Sequence, residues 1–143
     1  MQLAKIGEKL KLSSKTHYGL MACHILGRAH KENQSVSASA LESRIGVSGK
    51  YLEKIMRILS KKGIVSANRG ASGGYFLAKE PSDITVGEIV RALEDDMILV
   101  ECVKENGECK CCPSAKVWKK LYERINEVLD EMSLEQVVNG EIV

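Results

Sequence analysis

The sequence predicts a mainly α-helical fold with one small β-hairpin and a long C-terminal helix. Two short amphipathic segments on either side of Gly46 predict two helices joined by a tight turn. Two strand-like runs separated by a glycine-rich stretch predict the hairpin. Near the C-terminus, apolar residues spaced three and four apart predict the long helix.

The first helix is predicted from Ser13 to about Lys31, where apolar residues recur at helical spacing. Either Ser13 or Ser14 can cap its first turn. The predicted apolar stripe consists of Tyr18, Leu20, Met21, Ile25, Leu26 and Ala29.

The next two helices follow from capping signals. Residues 38–45 form a short segment with Ser39 and Glu42 spaced as a capping box, and Gly46 ends it. Ser48 can cap a third helix that Gly63 ends. Its predicted buried face consists of Leu52, Ile55, Met56 and Leu59. This arrangement predicts a helix-turn-helix, in which the second helix enters the major groove of DNA.

The exposed face of the third helix carries side chains suited to DNA. Lysine suits guanine acceptors or phosphate, glutamate can accept from a cytosine amine, and serine and tyrosine can hold phosphate. The pattern alone is weakly specific, because helical hairpins are common. The candidates are Ser48, Lys50, Tyr51, Glu53, Lys54 and Arg57.

The hairpin is predicted from strands at residues 64–68 and 75–77. Between them lie Arg69 and three glycines that include Gly73 and Gly74, a composition typical of a loop that touches a DNA backbone or minor groove. An ordinary hairpin turn is the alternative. An arginine-bearing hairpin after a helix-turn-helix favours a wing, so residues 11–85 are predicted to form a winged helix-turn-helix.

Charge is strongly segregated along the chain, although the net charge is only +2. Residues 1–80 carry 14 Lys and Arg against 5 Asp and Glu, whereas residues 81–143 carry 7 against 14. A basic half of this size favours double-stranded DNA as the partner, because lysine and arginine displace counterions from phosphates. The acidic half is expected to face away from DNA.

Residues 86–143 are predicted to contain a fourth helix at residues 86–95, a cysteine loop and the long helix. The long helix carries a narrow apolar seam formed by Trp118, Leu121, Ile125, Val128 and Met132. This seam either packs on its own domain or joins two chains. A protein that binds a two-fold symmetric DNA site needs two copies of its helix-turn-helix. We therefore favour a dimerisation helix and a homodimer bound to an inverted-repeat operator.

Four cysteines lie within eleven residues, at Cys102, Cys109, Cys111 and Cys112. No secretory signal and no membrane-spanning run is apparent, so we expect a cytoplasmic protein with reduced thiols and no membrane partner. A redox Cys-x-x-Cys pair, a zinc site and an iron–sulfur cluster are the alternatives. Cys112 is expected at the N-cap of the long helix, before Pro113. Cys23 is expected to be a buried apolar residue.

The run VSGKYLEKIMRILSKKGIVSANRGASGGYFLAKEPSDITVGEIVRALE, with SSKTHYGL before it, resembles a family of bacterial winged helix-turn-helix regulators. The family includes the iron–sulfur cluster regulator IscR, the nitric-oxide-sensing repressor NsrR and the cysteine-metabolism repressor CymR. The resemblance covers roughly residues 11–135 and leaves residues 1–10 as an extension. It implies that Ser48, Lys50, Tyr51 and Glu53 lie on the recognition helix and Arg69 in the wing. It also implies a long C-terminal helix that makes the dimer.

The resemblance further implies a cluster held by Cys102, Cys109 and Cys112, with [2Fe-2S] favoured over [4Fe-4S]. The position of a histidine ligand in some family sensors is Ala115 here, which cannot bind metal. Other members take a ligand from the partner's first helix, where this chain has His17. The alternative fourth ligand is Cys111. In that case His17 is expected to be a polar residue near the helix start that contacts a DNA phosphate.

The sequence therefore predicts a dimeric transcription regulator modulated by an iron–sulfur cluster. A cluster-free regulator that senses thiols or acts through a partner protein is the alternative. An enzyme is not expected, because no nucleophile–base constellation, paired carboxylates or organic-cofactor motif is present.

Overall fold

A computed structural model describes residues 12–70, 73–95 and 113–143 of the chain. It confirms the mainly helical fold with one two-stranded antiparallel hairpin and a long C-terminal helix. In chain order the elements are α1 (Ser14–His30), α2 (Ala38–Ile45), α3 (Gly49–Lys61), β1 (Val65–Asn68), β2 (Gly74–Leu77), a 3₁₀ turn (Pro81–Asp83), α4 (Val86–Leu93), α5 (Ala115–Glu131) and α6 (Leu134–Asn139).

Helix α1 begins after Ser13, whose hydroxyl accepts a hydrogen bond from the Thr16 amide. The predicted apolar stripe is wrong by about one position. Of its six residues only Leu26 is buried, and the other five are partly buried at the edge of the core. The face that is buried is built mostly from small residues, which a hydrophobic pattern underweights: Thr16, Gly19, Ala22, Cys23, Leu26 and Gly27.

The helix-turn-helix forms as predicted, with one difference in its capping. Ser37, not Ser39, caps α2 by accepting from the Ala40 amide, so the predicted capping box is absent. Gly46 ends α2 in the left-handed conformation at φ 79°. Ser48 caps α3, and the predicted apolar face of that helix is buried.

The hairpin pairs Val65 with Leu77 and Asn68 with Gly74. Its outer edge is covered by Val36, which exchanges two backbone hydrogen bonds of 2.9 and 2.8 Å with Tyr75. The segment between α1 and α2 therefore joins the hairpin to the helix-turn-helix.

The C-terminal half packs back onto α1. Leu93 of α4 and Leu134 of α6 belong to the same core cluster as Leu26. Helix α6 is not predicted by the sequence pattern; its first residue, Leu134, is fully buried and donates its amide to the Ile84 carbonyl at 2.8 Å. The domain boundary at residues 85 and 86 stays a prediction.

Helix α5 begins later than predicted. Pro113 and Ser114 form a turn, Ser114 occupies the N-cap, and Ala115 is the first helical residue. The placement of Cys112 at the N-cap is therefore wrong, and Cys112 itself lies outside the described residues. No helix in the described part of the chain is long and apolar enough to cross a membrane.

Candidate nucleic-acid interface

The exposed side of α3 is a basic stripe. Lys50, Lys54, Arg57 and Lys61 are all exposed, and their spacing of four, three and four residues places them on one face. The buried face of the helix lies opposite, so core packing sets the direction in which the stripe points. Lys61 was not among the predicted DNA-binding residues, although its helical spacing from Arg57 could have identified it.

Ser48 and Tyr51 also have structural roles at the start of α3. The Ser48 hydroxyl accepts the Tyr51 amide at 3.3 Å, which satisfies a donor in the first turn. The Tyr51 ring is half-buried and meets the Tyr18 ring edge to face, with centroids 6.0 Å apart. This contact ties the N-terminus of α3 to α1.

Glu53 is the one acidic residue of α3, and it lies beside the basic stripe. Its carboxylate accepts a hydrogen bond from the Arg57 guanidinium at 3.0 Å, and both side chains are more than 60% exposed. An exposed pair of this kind contributes little to stability. It places a hydrogen-bond acceptor and a hydrogen-bond donor side by side on the exposed surface of α3.

The hairpin loop spans residues 69–73, and Arg69 is exposed directly after β1. Gly73 donates its amide to the Gly70 carbonyl at 2.9 Å. A Cβ at Gly73 would lie 2.8 Å from two carbonyl oxygens, and one at Gly74 would lie 2.7 Å from the Val36 carbonyl. Both glycines are thus required by the backbone packing of the hairpin, and any contact with DNA would be additional.

Glu94 connects the start of α1 to the end of α4. Its Oε1 atom accepts hydrogen bonds from the Ser13 amide at 2.7 Å, the Ser13 hydroxyl at 2.8 Å and the Thr16 hydroxyl at 2.6 Å. Thr16 is 3% exposed and is the buried polar residue of the described core. Sequence reasoning missed Glu94, because its partners are 78 and 81 positions away and no local pattern marks them.

These contacts set the ionisation of Glu94. Partial burial raises the pKa of its carboxyl, but the hydrogen bonds from Thr16 and Ser13, with the charge of Lys15, outweigh burial and lower the pKa overall. Glu94 is therefore an anionic cap on α1, near the positive end of the helix dipole.

The predicted metal ligands are placed only in part. Cys102, Cys109, Cys111 and Cys112 lie outside the described residues, and in the described part of the chain no group of three or more His, Cys, Asp or Glu side chains could hold a metal. His17 is exposed in the first turn of α1, with its ring 5.6 Å from that of Tyr18.

Cys23 is fully buried, as predicted, and burial raises the pKa of its thiol to about 12. It stays protonated at neutral pH, which suits neither a nucleophile nor a metal ligand.

The helix-turn-helix, the arginine-bearing hairpin and the C-terminal helices match a known family. The family described as "Rrf2: Iron-dependent Transcriptional regulator" matches residues 12–140. The chain belongs to the Rrf2 family. It is accordingly a DNA-binding transcriptional regulator.

Relatives confirm this assignment. This chain is 37% identical to the protein rrf2 of Nitratidesulfovibrio vulgaris, and the match covers 82% of each protein. It superposes on the T. potens IscR structure with a TM-score of 0.76 and 37% identity, over 93% of this chain and 89% of that one. CymR of B. subtilis, described as the global cysteine regulator, superposes with a TM-score of 0.77 and 34% identity, over 91% and 97%. The resemblance stated from the sequence is thereby confirmed, and these relatives are transcriptional regulators.

The Glu94 contacts generate a pH-dependent prediction for this Rrf2 chain. Because its pKa is lower in the folded chain than the value of about 4.3 expected when unfolded, the stabilisation is present above that pH. It is lost as the pH falls through the lower, native pKa. Glu94→Gln should therefore unfold more easily in urea by about 1–2 kcal/mol at pH 7, and by less at pH 3.

Asp95→Asn is the matched control, since the Asp95 side chain is 95% exposed and contacts Lys15 only at 3.9 Å. Its effect should be small at both pH values. A difference between wild type and Glu94→Gln that is the same at pH 7 and pH 3 would contradict the stated role of the charge.

Proposed function

We propose that this Rrf2 regulator is a homodimer that binds an inverted-repeat DNA operator through α3 and the hairpin loop, and that an iron–sulfur cluster on its cysteine segment modulates the binding. The observation that carries the DNA-binding surface is the basic stripe of α3, which points outward because the opposite face is in the core. The runner-up is a cluster-free regulator that senses thiols or acts through a partner protein.

In the proposed complex, α3 lies in the major groove. Lys50 and Lys54, on its first two turns, contact guanine acceptors or phosphates. The Glu53 carboxylate accepts hydrogen bonds from base edges, and the Arg57 guanidinium donates hydrogen bonds to them. Ser48 and Tyr51 contact phosphates at the helix start. Arg69 reaches the backbone or minor groove from the loop shaped by Gly73 and Gly74.

The homodimer is proposed from the surface of α5. Its apolar residues Val117, Leu121 and Val128 are 59%, 40% and 53% exposed, and Ala115 is the one buried residue of this 17-residue helix. The three exposed residues lie four and seven positions apart, so they share one face. A second copy of α5 would bury this face at the predicted dimer seam, of which Trp118, Ile125 and Met132 are already half-buried in the single chain.

The cluster is proposed from the donor set. Cys102, Cys109 and Cys112 supply thiolates, and His17 or Cys111 supplies the fourth ligand; these groups suit iron, and [2Fe-2S] is favoured. The cluster would bring a redox-active, ligand-exchanging group to the chain. The IscR relative supports this proposal, whereas the equal likeness to CymR, a cysteine regulator, keeps the cluster-free alternative.

The Glu94 contacts offer a connection between the two functions. The cysteine segment begins shortly after Glu94, and Glu94 holds Ser13 and Thr16 at the start of α1. Tyr18, two residues after Thr16 in α1, contacts Tyr51 at the start of α3. A change in the cysteine segment would therefore reach the DNA-reading helix through two short contacts.

For DNA, Arg69→Ala should weaken operator binding by about 1–3 kcal/mol if Arg69 contacts a base edge, or should weaken binding to all sequences alike if it contacts a phosphate. Tyr51→Ala and Lys54→Ala should weaken it too. The operator is a duplex selected by the wild-type chain from random oligonucleotides, and affinity is measured by fluorescence anisotropy. Lys119→Gln, which removes an exposed charge from α5, is the control. Unchanged affinity in all three test variants would exclude this surface.

For the dimer, Val128→Lys should shift the chain from dimer to monomer in light scattering, since it places a charge in the apolar seam. The substitution is compatible with folding because Val128 is half-exposed in the single chain. Glu123→Lys on the opposite face of α5 should leave the mass unchanged. A wild-type chain that is monomeric at micromolar concentration would refute the seam.

For the cluster, anaerobically purified wild type should contain iron and sulfide, and Cys102→Ala, Cys109→Ala and Cys112→Ala should each lose them. Cys23→Ala should retain them, because Cys23 is buried and protonated. His17→Ala and Cys111→Ala identify the fourth ligand by which of them changes the absorption spectrum. Wild-type protein without iron or sulfide, even after reconstitution, would favour the cluster-free alternative.

A further inference from the structure

The six arginines of the chain divide into two groups. Three form ion pairs with carboxylates in the described structure: Arg57, Arg91 and Arg124. The other three form no such pair with any described residue: Arg28, Arg44 and Arg69. All three of these arginines belong to the basic half of the chain, and Arg69 is the predicted wing contact.

Arg28 and Arg44 come from different helices but line the same groove. This groove, of about 850 Å³, lies between α1, the segment that leads into α2, and α2 itself. Gly73 of the hairpin loop also lines it, so the groove adjoins the loop that carries Arg69. A ligand seated there would touch the helix-turn-helix and the wing together.

The charge of the groove is positive. Its walls carry two guanidiniums, those of Arg28 and Arg44, against one carboxylate, that of Glu32. Each arginine sits in the last turn of its helix, where the dipole favours a cation. The dipole explains a cation at each helix end separately, but it does not require both to line one open groove next to the hairpin loop.

We propose that this groove binds the DNA backbone, with Arg28 and Arg44 contacting phosphodiester groups that flank the bases read by α3. Guanidinium groups bind phosphate oxygens through two parallel hydrogen bonds, and no ion pair with a described carboxylate has to be broken first. Such contacts would fix the orientation of the protein on the duplex and carry no base specificity. This proposal rests on the DNA-binding function proposed above and extends its surface from α3 and the wing to the groove.

The test is the full-length double variant Arg28→Gln/Arg44→Gln, assayed on the selected operator and on a random-sequence duplex at several salt concentrations. Each lost phosphate contact should lower the slope of log K against log salt by about 0.9. The slope should therefore fall by about 1 to 2, and both duplexes should lose affinity by the same factor. Arg28→Lys/Arg44→Lys, which keeps the charge, should recover most of the slope.

Lys119→Gln, an exposed charge loss on α5, is the control and should leave the slope unchanged. A double variant with wild-type slope and affinity, and an unaltered thermal melt, would overturn the groove proposal while leaving the function of α3 intact. A loss of affinity for the operator without a loss of affinity for the random-sequence duplex would also overturn it, since phosphate contacts do not depend on base sequence. Salt-independent binding by the wild type would instead refute the proposed DNA-binding function itself.

Discussion

The close approach of neighbouring elements to α1 is the constraint on which the rest of the structure depends. The buried face of α1 is made of small residues, and at two of them the neighbours fill the space that a side chain would need. A Cβ at Gly19 would overlap a Leu93 methyl of α4, and one at Gly27 would lie 2.5 Å from a Val138 methyl of α6. The glycines let helices from the C-terminal half reach the helix that supports the DNA-reading motif. One core therefore serves both halves of the chain.

The segregation of charge along the chain is accompanied by a difference in how the arginines of the two halves are paired. The basic half presents α3 and the hairpin loop on its surface, and its arginines at positions 28, 44 and 69 are unpaired with described carboxylates. In the acidic half, Arg91 and Arg124 are each engaged by a carboxylate of α5. Both arginines of the acidic half are thus paired within the protein, whereas three of the four arginines of the basic half, where phosphate is the proposed ligand, pair with no described carboxylate.

Glu94 joins two segments that are about eighty residues apart in the chain through a single carboxylate. A carboxylate at the end of α4 completes the N-terminal cap of α1, using two hydroxyls and one amide. The cap is anionic and partly exposed, so its strength responds to pH. Since α1 contacts α3 through Tyr18 and Tyr51, one ring contact separates α3 from the helix that Glu94 caps.

The sequence by itself determined the features that depend on neighbours along the chain. Ser48 and Gly46 mark the turn of the helix-turn-helix, the apolar face of α3 follows from its spacing, and the glycines enforce the hairpin loop. Tertiary structure decided the rest. The buried face of α1 follows from close packing of small residues rather than from hydrophobicity. Helix α6 is short and is held by the burial of Leu134, and the partners of Glu94 are about eighty residues away. None of these has a local pattern, because the stabilising partner is supplied by a distant part of the fold.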